Sequence, residues 1–175
     1  MTTIAYRNGL MAADSRMTTE DDSGCRIFKC EKLYRIETPR FGEAIVGLAG
    51  ETYSGLIFLD WLKADNADGP ENLLIGDADF TGLVLTKRGL YEYDKWCRGE
   101  RVLDRFYAIG SGAKAALGAM HMGADARQAV AVAARVDPYT GGPIITLSLE
   151  SKTVRARPAV VAKDPALSDP PRDTT

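Results

Sequence analysis

The alternation of apolar and polar positions opens the chain with two short strands. Thr2 to Arg7 and Leu10 to Asp14 are β-compatible runs, and Asn8-Gly9 between them is the strongest two-residue hairpin signal. Asp21 to Gly24 is polar and loop-like, while Lys32 to Ile36 and Ala44 to Ala49 read as buried strands around a Thr38-Pro39 turn. From Thr52 to Asn66 the positions Tyr53, Leu56 and Ile57 recur at helical spacing. Leu59, Trp61 and Leu62 widen the apolar surface, which predicts a core helix. Gly82 to Thr86 and Leu90 to Tyr93 flank Lys87-Arg88-Gly89 as a second hairpin, and Arg105 to Ile109 is a strand running into Gly110-Ser111-Gly112.

Two alanine-rich helices follow, Ala113 to Met122 and Ala124 to Val136, the second with Ala126, Ala129, Val130 and Ala133 on one face. Asp137-Pro138 stops that helix, and Ile144 to Leu149 alternates into a strand expected to pair with Thr153 to Ala156. Strands and helices come in blocks, which argues for an α+β layered domain over alternating βαβ units. Residues 1–156 read as one domain, and the proline-rich stretch 157–175 as a disordered tail. There is no internal repeat.

Composition narrows the function classes. A hydrophobic share of 45% and a charged share of 26% belong to an ordinary globular protein. A net charge of -2 without a basic patch gives no attraction to nucleic acid or anionic membrane. No apolar run approaches the roughly 18 residues of a membrane span and no secretory h-region opens the chain, so a cytoplasmic location is expected. Cys25, Cys30 and Cys97 lack zinc-site spacing and read as free thiols. His121, the single histidine, sits at a helix end and reads as an ordinary core or surface residue, which leaves histidine-based nucleophilic catalysis without support.

The hairpin register supplies a different chemistry. With Asn8-Gly9 as the loop, Arg7 faces Leu10, Thr3 faces Asp14 and Thr2 faces Ser15, so an acid lies beside the chain start. A threonine freed of Met1 combines a hydroxyl nucleophile with an α-amine of pKa about 7.7 to 8.0, able to act as its own base. A small residue after methionine is commonplace, and alone it carries little.

The chain nevertheless resembles a family. Thr2-Thr3-Ile4 with Gly9 to Arg16 is similar to the opening hairpin of proteasome β subunits and of their bacterial relative, the HslV peptidase. Glu31-Lys32-Leu33-Tyr34-Arg35-Ile36 resembles the strand bearing the family's lysine, and Gly47-Leu48-Ala49-Gly50 its oxyanion glycine loop. Tyr107 to Gly112 and Asp137 to Gly142 resemble its GSG turn and its D-x-Y-[ST]-G-G segment. Singly, Lys32 reads as a solvated strand lysine, Ala49-Gly50 as a strand end, Ser111 as a turn residue and Asp137 as a helix stop; their order gives the resemblance its weight. The family's opening hairpin is longer, but shortening both arms by an even number of residues preserves the facing of each strand.

The resemblance implies a four-layer αββα N-terminal-nucleophile (Ntn) hydrolase sandwich of two antiparallel sheets flanked by helices. It implies Thr2 as nucleophile after Met1 removal, Lys32 as the charge that tunes it, Asp14 holding Lys32, and the Gly50 N–H as oxyanion donor. Ser111, Asp137 and Thr140 would position the terminal amine. No cofactor is implied for the chemistry; a structural Na⁺ or similar cation would sit on backbone oxygens of Ala134, Asp137 and Thr140. The expected activity is threonine-type endopeptidase action on unfolded polypeptide, in stacked homo-oligomeric rings. With no GxxxxGK[ST] motif in the chain, a separate ATP-dependent unfoldase ring would handle ATP. A small-amide hydrolase and a catalytically silent ring protein of the same fold are the alternatives.

Overall fold

A computed structural model describes residues 1–21, 24–64 and 80–149. In chain order its elements are β1 (Thr3–Arg7), β2 (Leu10–Ala13), β3 (Arg16–Asp21), β4 (Gly24–Lys29), β5 (Leu33–Thr38), β6 (Gly42–Gly50) and α1 (Thr52–Lys63). There follow β7 (Phe80–Thr86), β8 (Gly89–Tyr93), β9 (Gly99–Val102), β10 (Phe106–Gly110), α2 (Ala113–His121), α3 (Ala126–Val136) and β11 (Ile145–Ser148). Among the described residues no helix is long and apolar enough to cross a membrane.

The first turn decides the register of one sheet. Asn8 (φ 51°) and Gly9 (φ 80°) both adopt the left-handed region that a two-residue hairpin loop requires, and Arg7 faces Leu10. β1 then pairs on its other edge with β10, and β2 with β11, giving an antiparallel sheet of order β10-β1-β2-β11. The second sheet, β5-β6-β7-β8-β9, is an antiparallel meander.

Period-two alternation divides the side chains of these strands between two cores. Ile4, Met11 and Ala13 point at the facing sheet and pack against Leu33, Ile45 and Leu83. Gly47 permits that approach, because a Cβ there would lie 3.0 Å from Ile4. Ala5, Ala12 and Ala108 point the other way, and their small size lets Ala129, Val130 and Ala133 of α3 and Met120 of α2 settle on the sheet. On the far side Phe58 and Leu62 of α1 bury against Val46, Val84 and Tyr93. Each large side chain so buried stabilises the fold by about 1.5–3 kcal/mol. The layers run α2/α3, sheet, sheet, α1, the αββα sandwich.

Several boundaries differ from the sequence reading. Strands β3 and β4 flank the stretch Asp21 to Gly24 that was read as a loop, on residues to which the sequence reading gave no element. The β4 residues are exposed at every position, so no apolar face marks the strand and the hydrogen-bond ladder alone defines it. Polar β9 was likewise unpredicted. α3 starts later than Ala124 because Asp125 and Gln128 form a reciprocal capping box. Asn66, the strand expected at Thr153 to Ala156 and the tail 157–175 lie outside the described residues.

Candidate active site

The β1–β2 ladder continues one step past β2, where the Asp14 N–H donates to the Thr3 carbonyl at 3.2 Å. The pairing expected of Thr2 with Ser15 gives way at that point, because the Ser15 and Arg16 N–H groups both turn to the Gly141 carbonyl. This turn leaves the Asp14 carboxylate among donors. Oδ1 accepts from the Thr3 N–H (2.9 Å) and from Lys32 Nζ (2.8 Å). Oδ2 accepts from the N–H groups of Arg16 and Gly141, each at 3.0 Å. Asp14 is 1% exposed and Lys32 6%. A buried charge pair is tolerable only when both ions are saturated with partners, as here.

Lys32 lies one residue before β5, and its ammonium has three acceptors. Besides Asp14 these are the Arg16 carbonyl at 2.6 Å and the Met1 carbonyl at 2.9 Å. The lysine therefore sits against the Met1–Thr2 peptide itself, and Thr2 is 5% exposed.

A second group of side chains meets the same strand start from the α3 end. The α3 C-cap Asp137 accepts from Ser111 Oγ and Thr140 Oγ1, both at 2.6 Å through Oδ2, and from the Tyr139 N–H at 3.1 Å through Oδ1. Because the Thr140 hydroxyl proton goes to Asp137, the 2.6 Å contact between Thr140 Oγ1 and Thr3 Oγ1 has Thr3 as donor. Ser111 Oγ also lies 3.4 Å from the Thr2 carbonyl. Burial pushes the Asp137 carboxyl up, but the Ser111, Thr140 and Tyr139 hydrogen bonds outweigh it and hold the group below its ordinary value.

The glycines beside Ser111 make room for this approach. A Cβ at Gly110 (φ 92°) would fall 2.0 Å from the Thr2 carbonyl oxygen, and one at Gly112 would fall 2.2 Å from Thr3 Oγ1. The GSG turn is thus a steric complement to the chain start.

Gly50 ends β6 and lines the same cleft as Met1, Thr2 and Lys32. The Leu48 N–H donates to the Lys32 carbonyl at 3.0 Å. Two residues on, alternation turns the Gly50 N–H to the same edge of β6, beyond the first residue of β5, Leu33. The structure thus brings Thr2, Asp14 and Lys32 together, joins Ser111, Asp137 and Thr140 into one network, and sets Gly50 in the cleft wall. The sequence reading missed Arg16, Gly141 and Thr3 as members. Arg16 and Gly141 act through backbone groups, which side-chain identity does not reveal. The Arg16 guanidinium also donates to the Pro138 carbonyl at 2.7 Å.

For the implied cation one observation fits. The Ala134 carbonyl would take its helical hydrogen bond from position 138, but proline there has no N–H, so that oxygen is left for another partner. Among the described residues no group of three or more His, Cys, Asp or Glu side chains could hold a metal ion. Cys25, Cys30 and Cys97 are free thiols, and His121 is exposed with its ring perpendicular to that of Phe106.

Comparison with solved structures decides the architecture. BPH from Thiobacillus denitrificans, in complex with epoxomicin, superposes with a TM-score of 0.58 at 22% identity, covering 86% of this chain and 99% of that one. Eukaryotic HslV from Trypanosoma brucei gives 0.60 at 18% identity, over 84% and 98% of the two chains. The fold is that of the HslV and proteasome-like Ntn hydrolases. Anbu (ancestral beta-subunit) from Yersinia bercovieri shares it, with a TM-score of 0.65 at 14% identity over 84% of this chain and 80% of that one. No protein-family model and no curated protein sequence matches the chain.

Proposed function

We propose that the chain is a threonine-type endopeptidase of the HslV and proteasome kind, with Thr2 as nucleophile once Met1 is removed. The observation that carries the reading is the buried Lys32 ammonium, bound to Asp14 and set against the Met1–Thr2 peptide. Release of Met1 takes away one of the three Lys32 acceptors and exposes an amine at Thr2. In the proposed reaction that amine takes the Thr2 hydroxyl proton as Oγ attacks the scissile carbonyl, and the Lys32 charge stabilises the developing alkoxide. The Gly50 N–H receives the oxyanion. The tetrahedral species collapses to an ester at Oγ, the leaving amine takes the proton, and water then hydrolyses the ester.

Ser111, Asp137 and Thr140 orient the amine in this reading. The Ser111 hydroxyl proton points to Asp137, so its oxygen lone pairs are free to accept from the amine. The partners proposed are further copies of the chain in stacked rings and a separate ATP-dependent unfoldase ring, in the cytoplasm, with unfolded polypeptide as substrate. A structural cation at the Ala134, Asp137 and Thr140 carbonyls would brace the loop and take no part in the chemistry.

The silent ring protein is favoured by one specific feature, the Met1 carbonyl held by Lys32, because a chain that keeps Met1 has no free amine. Intact mass after treatment with an electrophilic threonine-protease inhibitor separates the two. The peptidase loses one methionine and gains one adduct on Thr2; a chain that keeps Met1 and never labels overturns the reading. Turnover of casein against small amides distinguishes the peptidase from a small-amide hydrolase.

A further inference from the structure

The cleft beside Thr2 is a small groove open to solvent, with apolar and charged parts. Met17, Tyr34, Leu48 and Ala49 form apolar wall, and Glu31 and Glu51 are the acidic residues of the lining. Lys32 is the cationic side chain among the lining residues and is matched by Asp14 at 2.8 Å, and the terminal amine of the chain start lies beside the same cleft. Among the described residues no lysine or arginine forms an ion pair with either glutamate.

Glu51 caps α1, accepting from the Tyr53 and Ser54 N–H groups and from the Ser54 hydroxyl. The Ser54 hydroxyl first, then those N–H groups, hold its carboxyl below the ordinary value, so it keeps its charge. Glu31 is exposed, and its carbonyl takes the Tyr34 hydroxyl at 2.8 Å, which ties it to the cleft wall. Burial and then the Glu31 charge raise the Tyr34 phenol, a sign that the carboxylate and the phenol are near one another.

A wall of Met17, Tyr34 and Leu48 under two carboxylates suits a side chain with a long apolar stem and a cationic tip. Resting on the peptidase reading above, we propose that Glu31 and Glu51 select arginine or lysine at the substrate residue that supplies the scissile carbonyl. The stem packs along the apolar wall, and the guanidinium or ammonium meets the two acids. An acidic side chain at that position meets like charge and is disfavoured.

The test uses the full chain bearing a free Thr2 and three fluorogenic peptides identical except for arginine, leucine or glutamate before the cleaved bond. The expected order of kcat/KM is arginine, leucine, glutamate. Glu31→Lys lowers the arginine-to-leucine ratio by about fivefold or more, with Glu31→Gln in between. Glu51→Gln, whose amide oxygen can still accept from the α1 N–H groups, lowers the same ratio. Cleavage with leucine or glutamate preferred, or a ratio that neither Glu31 variant moves, overturns the proposal and leaves the peptidase standing. No cleavage of any of the three peptides removes the peptidase reading and this inference with it.

Discussion

Lys32 Nζ donates to Asp14 Oδ1 at 2.8 Å, joining the lysine that precedes a strand of one sheet to the acid that follows a strand of the other. Removing one partner strands the other charge in the interior, so Asp14→Ala is expected to cost about 3–5 kcal/mol in denaturant unfolding. Peptidase turnover falls with it. Lys32→Ala removes the charge set against Thr2, and turnover in a peptide assay should drop by on the order of 10²-fold or more. Full activity in Lys32→Ala would remove the lysine from the mechanism.

Gly110 is constrained by the chain start and not by its own strand. Gly110→Ala puts a methyl into the Thr2 carbonyl, 2.0 Å away, on a backbone with φ 92°. The backbone conformation alone costs on the order of 1–3 kcal/mol, and relief of the clash shifts Thr2. The expected result is a lowered Tm together with loss of inhibitor labelling at Thr2. Labelling at the wild-type rate would show that the turn does not set the position of the nucleophile.

Asp137 links acid stability to the site. Its folded value lies below the usual 3.8, so the ionised carboxyl favours the native state at all pH above that figure. The contribution disappears as pH falls through the folded value. Asp137→Asn should therefore flatten the loss of stability below about pH 4, measured by urea unfolding across that range. An unchanged acid limb would mean that the Ser111 and Thr140 hydrogen bonds do not favour the charged form.

Tyr107 shows the opposite sign. Its hydrogen bond to Glu92 comes first, followed by burial and the charges of Glu92, Asp104 and Glu100, and together they push the phenol from 10.0 up to about 12. The neutral phenol thus stabilises the fold fully below pH 10, and the contribution is lost as pH rises from there to about 12. Because Tyr107 is on β10 and Glu92 on β8, the influence acts between the two sheets. The stability gap between wild type and Tyr107→Phe should narrow from pH 8 to pH 11, and a constant gap would contradict the assignment.

Strand β4 presents Ile27 (65% exposed) and Phe28 (46% exposed) to solvent. If copies of the chain pack over this hairpin in the proposed rings, Ile27→Glu with Phe28→Glu shifts the mass in light scattering to smaller species. An unaltered assembly places the ring contact elsewhere.

Local chemistry determined much of this protein. Asn8-Gly9 set the register that brings Asp14 to the chain start, because a two-residue loop admits one pairing and period-two facing does the rest. The alanine face of α3 likewise announced which side meets its sheet, whereas in α1 the Tyr53 and Leu56 positions stay exposed and Phe58, Leu59 and Leu62 turn inward instead. The family resemblance then marked Lys32, Ser111, Asp137 and Thr140 as site residues. Tertiary structure alone decided how they connect. Lys32 finds the Arg16 and Met1 carbonyls, Gly141 offers its N–H to Asp14, and Thr3 donates to Thr140 across the whole domain. These bonds run between backbone groups or between residues far apart in the chain, where no local pattern encodes direction. The β3–β4 hairpin was hidden for a related reason: with β4 exposed throughout, only the partner strand across the turn supplies the hydrogen bonds that make either one a strand.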